Sequence, residues 1–313
     1  MASGSSSTES ARWSDRWVVA MARGLTGWVR GLSYSNVQRL GAALGRWLGK
    51  GLRYRRREVI ATMTRCLSDR TPSEIPRLAD AMYVHLGRTL LESMWIRPEG
   101  WTEWVTTHVE IHRADVVHSQ VRTGRGCLIL TAHAGNFDLL CCAAPALGFP
   151  LTIIAKQMRN AVLDREVRGH WRSFGVETLP PRGVFRQALR AIQSGRIVGF
   201  MLDQNMTRDE GIFVEFFGQP ACTTPGLAWL AACAQVPVVP VFIHREPDGR
   251  HRIDVGEPCA PPARNEREIH EATARYTRVI EDWIRVHPSQ WIWIHRRWRT
   301  QPEPGDHVVS GAV

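Results

Sequence analysis

From residue 127 onwards the chain alternates short apolar runs with longer stretches in which apolar side chains return every three or four positions. The runs at 127–131, 151–155, 176–179, 196–202, 236–243 and 251–256 predict strands. The helical periodicity predicts helices over 136–145, 161–173, 184–194, 225–234 and 266–286. Such alternation, joined by short loops, predicts an α/β fold: a single domain with a central mixed, largely parallel β-sheet flanked by helices. Upstream, Arg53 to Arg57 forms a basic cluster followed by a helical pattern to Leu67. From Pro72 to Met94, Leu78, Met82, Leu86 and Leu90 fall at steps of four.

Two segments raise the question of a membrane. From Phe216 to Ile243 no Asp, Glu, Lys or Arg occurs, a length that could cross a bilayer. Pro225, Pro237 and Pro240 interrupt it, so it reads instead as the helix GLAWLAACA, opened by Pro225, and a core strand from Val236. Residues 12–32 behave differently. On a helical wheel Trp13, Trp17, Trp28, Met21, Leu32, Leu25, Val18 and Val29 share an arc of about 160°, while Arg16, Arg23 and Arg30 cluster within about 40° on the other side. The longest wholly apolar run, Trp17 to Ala22, is too short to span. A tryptophan face opposite an arginine face describes a helix lying in the interface of an anionic membrane. The competing reading is a helix packed on the protein's own core, and Gly24 and Gly27 weaken the helix itself. The organisation expected is therefore a disordered tail over 1–10, an amphipathic membrane-associating segment over 11–52, the main domain over 53–300 and a disordered tail over 301–313.

Composition adds a charge argument. Of the 40 basic residues in this 313-residue chain all but Lys50 and Lys156 are arginine, and the net charge is +10. The guanidinium fork suits phosphate and carboxylate, so anionic lipid, an acidic protein or nucleic acid are candidate partners beside a merely solvated surface. No recognised nucleic-acid module appears, and no nucleic-acid partner is expected. The seven cysteines form no CxxC pair and have mostly apolar neighbours, which predicts reduced, structural thiols. MASGSSSTES lacks an apolar core and does not read as a secretory signal.

Candidate chemistry centres on TAHAGNFD at 131–138, where His133 and Asp138 stand five positions apart. Five residues turn a helix by about 140° and point a strand's side chains to opposite faces, so neither regular structure joins the pair. A strand-to-helix junction can. If His133 leaves the strand and Asn136 opens the helix, Asp138 lies in the first helical turn, where the macrodipole favours its charge and Ala134-Gly135 lets the loop fold the imidazole back onto it. A His–Asp pair is a general base with an orienting carboxylate. No GxSxG elbow occurs, so the nucleophile would be the substrate's own alcohol. His108 and His112 lie in HVEIH, which is not HExxH, and phosphate-loop and dinucleotide motifs are missing, so neither metal nor cofactor is expected.

Several blocks, in order, resemble the late acyltransferases of lipid A biosynthesis, which share the HxxxxD/E motif with glycerolipid acyltransferases. They are HLGRTLLE at 85–92, GRGCLILTAHAGNFD at 124–138, Arg159-Asn160 with Leu163-Asp164-Arg165, the run at 181–205, that at 216–242, and HPSQWIWIHRRWR at 287–299. The resemblance covers about residues 53–299 and makes 53–300 the acyltransferase domain. It implies an acyl carrier protein thioester as donor, a hydroxyl of a membrane glycolipid as acceptor, and a place at the cytoplasmic face of the inner membrane. It also implies roles: His133 as general base, Asp138 as its partner, Arg159 as support for an oxyanion or lipid phosphate, and Asp203-Gln204 as a pair at a strand end, with Asn136 in the same supporting set. Asp203 would orient Arg159 or bind the acceptor. The FPEGTR block of the phosphatidic-acid-forming branch is absent, which points away from a glycerol-phosphate acceptor. The same motifs are shared by acyltransferases of other sugar lipids such as phosphatidylinositol mannosides. A basic, non-enzymatic binder of membranes or nucleic acid is the remote alternative.

Overall fold

A computed structural model describes residues 13–122, 124–155, 158, 160–179 and 183–311. Residues 13–95 form mostly helices: α1 (Trp13–Arg30), α2 (Tyr34–Arg46), a π-helical turn at Trp47–Gly51, α3 (Arg56–Cys66) and α4 (Glu74–Trp95). Small residues let α2 lie backbone against backbone on α4. A Cβ on Gly45 would stand 2.0 Å from the Tyr83 carbonyl oxygen, and one on Gly87 2.2 Å from that of Gly41. Val29 of α1, Val37 of α2 and Leu91 of α4 form a small buried cluster that ties the three helices together.

After α5 (Trp101–His108) the chain alternates through β1 (Val109–His112), α6 (Ala114–Arg122), β2 (Leu128–Thr131), α7 (Phe137–Ala146), β3 (Leu151–Ile154), α8 (Ala161–Ser173), β4 (Glu177–Leu179), α9 (Val184–Gln193) and β5 (Ile197–Met201). A hairpin of β6 (Ile212–Phe216) and β7 (Gln219–Thr223) precedes α10 (Gly226–Ala234). Then come β8 (Val238–Arg245), β9 (His251–Val255), α11 (Glu266–Val286) and β10 (Val308–Val309). The main sheet has the order β1-β9-β8-β2-β5-β3-β4, parallel throughout except between β8 and β9. This is the mixed, largely parallel sheet expected. Every residue of β2 and β8 is buried, as strands covered by helices on both faces require.

The uncharged stretch from Phe216 runs from the end of β6 through β7 and α10 into β8, so it is two whole elements of a folded domain and parts of two others. Among the described residues no helix is long and apolar enough to cross a membrane. The chain beyond residue 300, expected as a tail, is instead placed on the body as far as residue 311. Val308 and Val309 pair with Phe213 and Val214 of β6, and Arg208 Nη1 reaches Asp306 Oδ2 at 2.5 Å. An open β6 edge and an ion pair supply what the local composition does not advertise. All seven cysteines are free thiols.

Candidate active site

β2 and β5 are parallel neighbours with Thr131 opposite Met201. Two residues past each strand end the chain therefore brings His133 opposite Asp203, in the crevice outside the carboxyl ends of the sheet. Asp203 Oδ1 accepts from His133 Nδ1 at 2.8 Å, and its Oδ2 accepts from the His133 backbone N–H at 3.0 Å and from Trp291 Nε1 at 2.8 Å. Asp203 is only 3% exposed. Burial alone would raise its carboxyl, but the His133 charge and these donors outweigh it and hold the group at about 2. Burial would likewise lower the His133 imidazole, and the charge and hydrogen bond of Asp203 instead hold it above its ordinary value. Nδ1 thus carries its proton towards Asp203. Nε2 faces the Gln204 side-chain amide at 3.1 Å.

The expected pairing of His133 with Asp138 is therefore not the one formed. Asn136 does cap α7, its Oδ1 accepting from the Leu139 N–H at 3.0 Å. With that start, Phe137 is the residue that meets His133, its ring edge-on with centroids 5.1 Å apart. The next position, 100° further round the helix, turns Asp138 towards α8. There its Oδ1 accepts from Trp171 Nε1 at 2.6 Å and its Oδ2 lies 3.8 Å from His170 Nε2. Cys142 adjoins the same carboxylate, and burial pushes its thiol well above its ordinary value, so at neutral pH it is protonated.

The loop from His133 to Asn136 is held on every side. Gly135 has φ +57°, and a Cβ there would stand 1.7 Å from the Ile243 carbonyl oxygen. The Gly135 N–H donates to the Gln290 carbonyl at 2.7 Å and the Ile292 N–H to the His133 carbonyl at 3.3 Å. His85, driven down to about 3 by burial, is neutral and donates from Nε2 to the Gly135 carbonyl at 3.1 Å. Asn136, expected to support substrate, is wholly buried and donates from Nδ2 to Glu92 Oε2 at 2.5 Å. Glu92 is itself buried and also receives Arg245 at 2.6 and 3.0 Å, Gln38 at 2.9 Å, His251 at 3.1 Å and the Tyr34 hydroxyl. Burial would raise the Glu92 carboxyl, but His251 and Arg245 keep it well below its usual range. On the other flank the buried Arg297 donates to the carbonyls of Gln204 at 3.0 Å and Cys222 at 2.6 Å, which fixes the turn after Asp203. Trp291, Glu92 and Arg297 were not singled out from the sequence. All three lie in blocks that carry the resemblance, and that was their only signal.

Arg159 lies outside the described residues. In α1, Trp17 and Trp28 are 64% and 56% exposed, and Met21 and Leu25 are exposed beside them. The side chains of Trp13 and Arg16 fall outside the described residues. The arginine face is partly spent on the protein itself. Arg23 forms a bidentate pair with Glu166 of α8 at 2.7 and 3.0 Å, and Arg30 donates to the Met94 and Ile96 carbonyls at 3.3 Å.

His133 and Gln204 lie where two cavities meet. One, of about 550 Å³, runs over the sheet beneath α7 and is walled by Ile129, Leu140, Phe149, Ile153, Phe200 and Val241 among other apolar side chains; Asp138 and Trp171 belong to its wall. The other, of about 500 Å³, is lined by Arg55, Asn205, His295, Arg296 and Arg299, with Ile292 and Ile294 between them. A base between an apolar tunnel and a cationic basin can serve a substrate with one greasy and one anionic end.

The family described as bacterial lipid A biosynthesis acyltransferase matches residues 6–300. The lipid A biosynthesis lauroyltransferase of Escherichia coli (strain K12) is 26% identical over 300 residues, covering 92% of this chain and 93% of its own. The lipid A biosynthesis palmitoleoyltransferase of the same organism is 24% identical over 284 residues, 88% of each chain. A phosphatidylinositol mannoside acyltransferase of Mycolicibacterium smegmatis (strain ATCC 700084 / mc(2)155) is 28% identical over 139 residues, 43% of this chain and 45% of its own. A match that runs through both flanks of the His133 crevice, from the N-terminal helices to the arginines at 296–299, makes the chain an O-acyltransferase and a member of the bacterial lipid A biosynthesis acyltransferase family.

Proposed function

We propose that the protein moves a fatty acyl chain from an acyl carrier protein thioester to a hydroxyl of a lipid A precursor at the cytoplasmic face of the inner membrane, with His133 as base and Asp203 as its orienting carboxylate. The observation that carries this reading is the position of His133 between an apolar cavity of about 550 Å³ and an arginine-lined one of about 500 Å³. The acyl chain takes the first. The headgroup takes the second, and its hydroxyl replaces the Gln204 amide at Nε2. Nε2 removes the hydroxyl proton while the oxygen attacks the thioester carbonyl. The C–S bond then breaks, and the leaving thiolate takes the proton back from the imidazolium. Asp203 keeps Nδ1 protonated and stabilises the transient cation, a contribution of about 10²–10⁴-fold. The displaced Gln204 amide is a donor within reach of the developing oxyanion, and Arg159 supplies a second in the reading that the resemblance implies. No metal or cofactor enters.

Membrane attachment rests on the N-terminal helices. Of the fourteen exposed large apolar side chains among the described residues, eight lie between Trp17 and Tyr54, including Trp17, Met21, Trp28 and Trp47. Such a concentration suits burial at the headgroup level of a bilayer. An acceptor of the phosphatidylinositol mannoside class is the second reading, favoured by the partial match to the mycobacterial relative.

Purified protein incubated with acyl carrier protein thioesters and glycolipid acceptors, read by mass spectrometry, tests the proposal. His133→Ala is expected to lose at least 10²-fold in turnover while the purified variant remains folded by circular dichroism. Near-wild-type turnover in that variant would sink it. An unchanged lipid A acyl count in a deletion strain would shift the acceptor to the second reading.

A further inference from the structure

The arginine-lined cavity carries uncompensated positive charge. Arg55, Arg296 and Arg299 line it, and among the described residues no carboxylate lies within 4.0 Å of any of their guanidinium groups. Several half-buried arginines elsewhere do have carboxylate partners: Arg56 with Asp80, Arg208 with Asp306, Arg285 with Glu281. The one carboxylate in the cavity wall, Asp203, is already committed to His133 and Trp291. His295 contributes no charge, since burial lowers its imidazole and its Nε2 accepts from the Asn205 N–H at 3.0 Å.

Arg55 reaches the cavity wall from an unusual stretch of backbone. Arg53 and Arg55 both take left-handed φ, 51° and 52°, a region that non-glycine residues occupy rarely and at a cost. That conformation starts α3 at Arg56 and puts Arg56 and Arg57 in its first turn. The positive end of the macrodipole disfavours cations there. Arg55 then bridges to the opposite wall, its Nη1 donating to the Ile294 carbonyl at 2.6 Å, while its Nε is buried without a partner. Three arginines without a carboxylate partner, one of them at the N-terminus of α3, favour an anion in one basin beside His133.

We propose that this basin, walled by Arg55, Arg296 and Arg299, binds a phosphate ester carried by one of the two substrates and so sets the reacting group against His133. The inference rests on the acyl transfer reading above for what the anion is attached to, and on the basin itself for its being a phosphate. Two sources share that chemistry: a phosphate on the glycolipid acceptor and the phosphodiester of a phosphopantetheine arm on the donor. Guanidinium forks recognise either bidentately.

The test is equilibrium binding, read by tryptophan fluorescence on the full chain in detergent micelles. Two ligand pairs are compared: a phosphorylated disaccharide lipid with its phosphatase-treated form, and phosphopantetheine with pantetheine. The wild type is expected to prefer the phosphorylated member of one pair by roughly 10- to 100-fold. In Arg296→Ala/Arg299→Ala the two affinities of that pair converge. Arg296→Lys/Arg299→Lys, which keeps the charge and loses the fork, retains part of the preference and serves if the alanine variant folds poorly. A preference in the glycolipid pair assigns the basin to the acceptor, and one in the pantetheine pair assigns it to the donor. Equal affinities within both pairs, or a preference that survives the alanine variant, overturns the basin. Binding is read without turnover, so failure of acyl transfer in the earlier assay strikes that proposal alone.

Discussion

Asp203→Asn separates the carboxylate that touches His133 from the one the motif suggests. Asn is nearly isosteric, and its single carbonyl oxygen can still accept from the His133 N–H and Trp291 Nε1, which in the native site share Oδ2. The amide NH₂ then occupies the place of Oδ1, 2.8 Å from Nδ1. Two donors cannot face each other, so Nδ1 must become the acceptor and the proton moves to Nε2, the atom that has to take the substrate's proton. Turnover should fall by about 10²–10⁴-fold, the worth of the base, through the wrong tautomer. The pH profile gives the decisive readout. In the wild type Asp203 holds the imidazole above its ordinary 6.5, so the acid limb of kcat/KM lies above that value, where the base becomes neutral. Without the carboxylate only burial acts on the ring, and the limb moves below 6.5. Asp138→Asn, which touches Trp171 and not the imidazole, leaves the limb at its wild-type position whatever it does to the amplitude. A limb that moves in Asp138→Asn and stays in Asp203→Asn would refute the assignment. Stability follows the same linkage with both signs. The contribution from the raised His133 is complete below 6.5 and fades as pH rises through its folded value; that from Asp203 is present above 3.8 and is lost as pH falls towards 2.

Three further outcomes follow from the packing. Gly135→Ala brings a Cβ to within 1.7 Å of the Ile243 carbonyl oxygen at a φ of +57°, so both melting temperature and turnover should drop; a stable, active alanine variant would show that the loop is not held there. Glu92→Gln leaves Arg245 and His251 without a buried counter-charge and should cost about 3–5 kcal/mol in urea unfolding, with a midpoint equal to wild type as the contrary result. Trp17→Ser/Trp28→Ser should weaken sedimentation with anionic vesicles while leaving the melting curve in place, because both side chains are more than half exposed; undiminished sedimentation would remove α1 from the membrane contact.

Strands and helices were legible because their signals are local. The helix expected over 266–286 is α11 to the residue, and the strands at 127–131 and 196–202 became β2 and β5 within a residue. What local patterns do not encode is which strands are neighbours. His133 and Asp203 each stand two residues beyond their strand, and that equal overhang becomes a contact only once β2 and β5 are adjacent in register. Asp138 misled for a related reason: the helix start at Asn136 was read well, but one residue of helical rotation sends the carboxylate to Trp171. The β6–β7 hairpin was hidden by its turn. Phe217 and Gly218 sit at φ 54° and 69° between the paired Phe216 and Gln219, as in a type I′ turn where Asn-Gly is usual. Glu281 Oε2, accepting from the Phe217 N–H at 2.6 Å, helps to hold the phenylalanine in that conformation.

Two buried carboxylates converge on the four residues from His133 to Asn136, Asp203 from the end of β5 and Glu92 from α4. Stability explains this poorly. A buried ion pair roughly breaks even against a well-packed apolar replacement, and each carboxylate here draws donors from several elements that must all be aligned to satisfy it. Glu92 gathers α2, α4, β8, β9 and the loop, while Asp203 gathers the loop and the Trp291 segment. The same cost is intelligible if its product is position. On the acyl-transfer reading proposed above, His133 must keep Nε2 between the apolar cavity and the arginine-lined one while a flexible acyl chain and a charged headgroup arrive from opposite sides. A loop with Gly135 at its centre could not do that by its own torsional preferences. The HLGRTLLE block shows the same logic in sequence, since His85 bonds the Gly135 carbonyl, Gly87 admits α2 and Glu92 anchors Asn136. α4 therefore packs on α2 through Gly87 on one side and holds the His133 loop through His85 and Glu92 on the other, so substitutions along it should disturb turnover without lining either cavity.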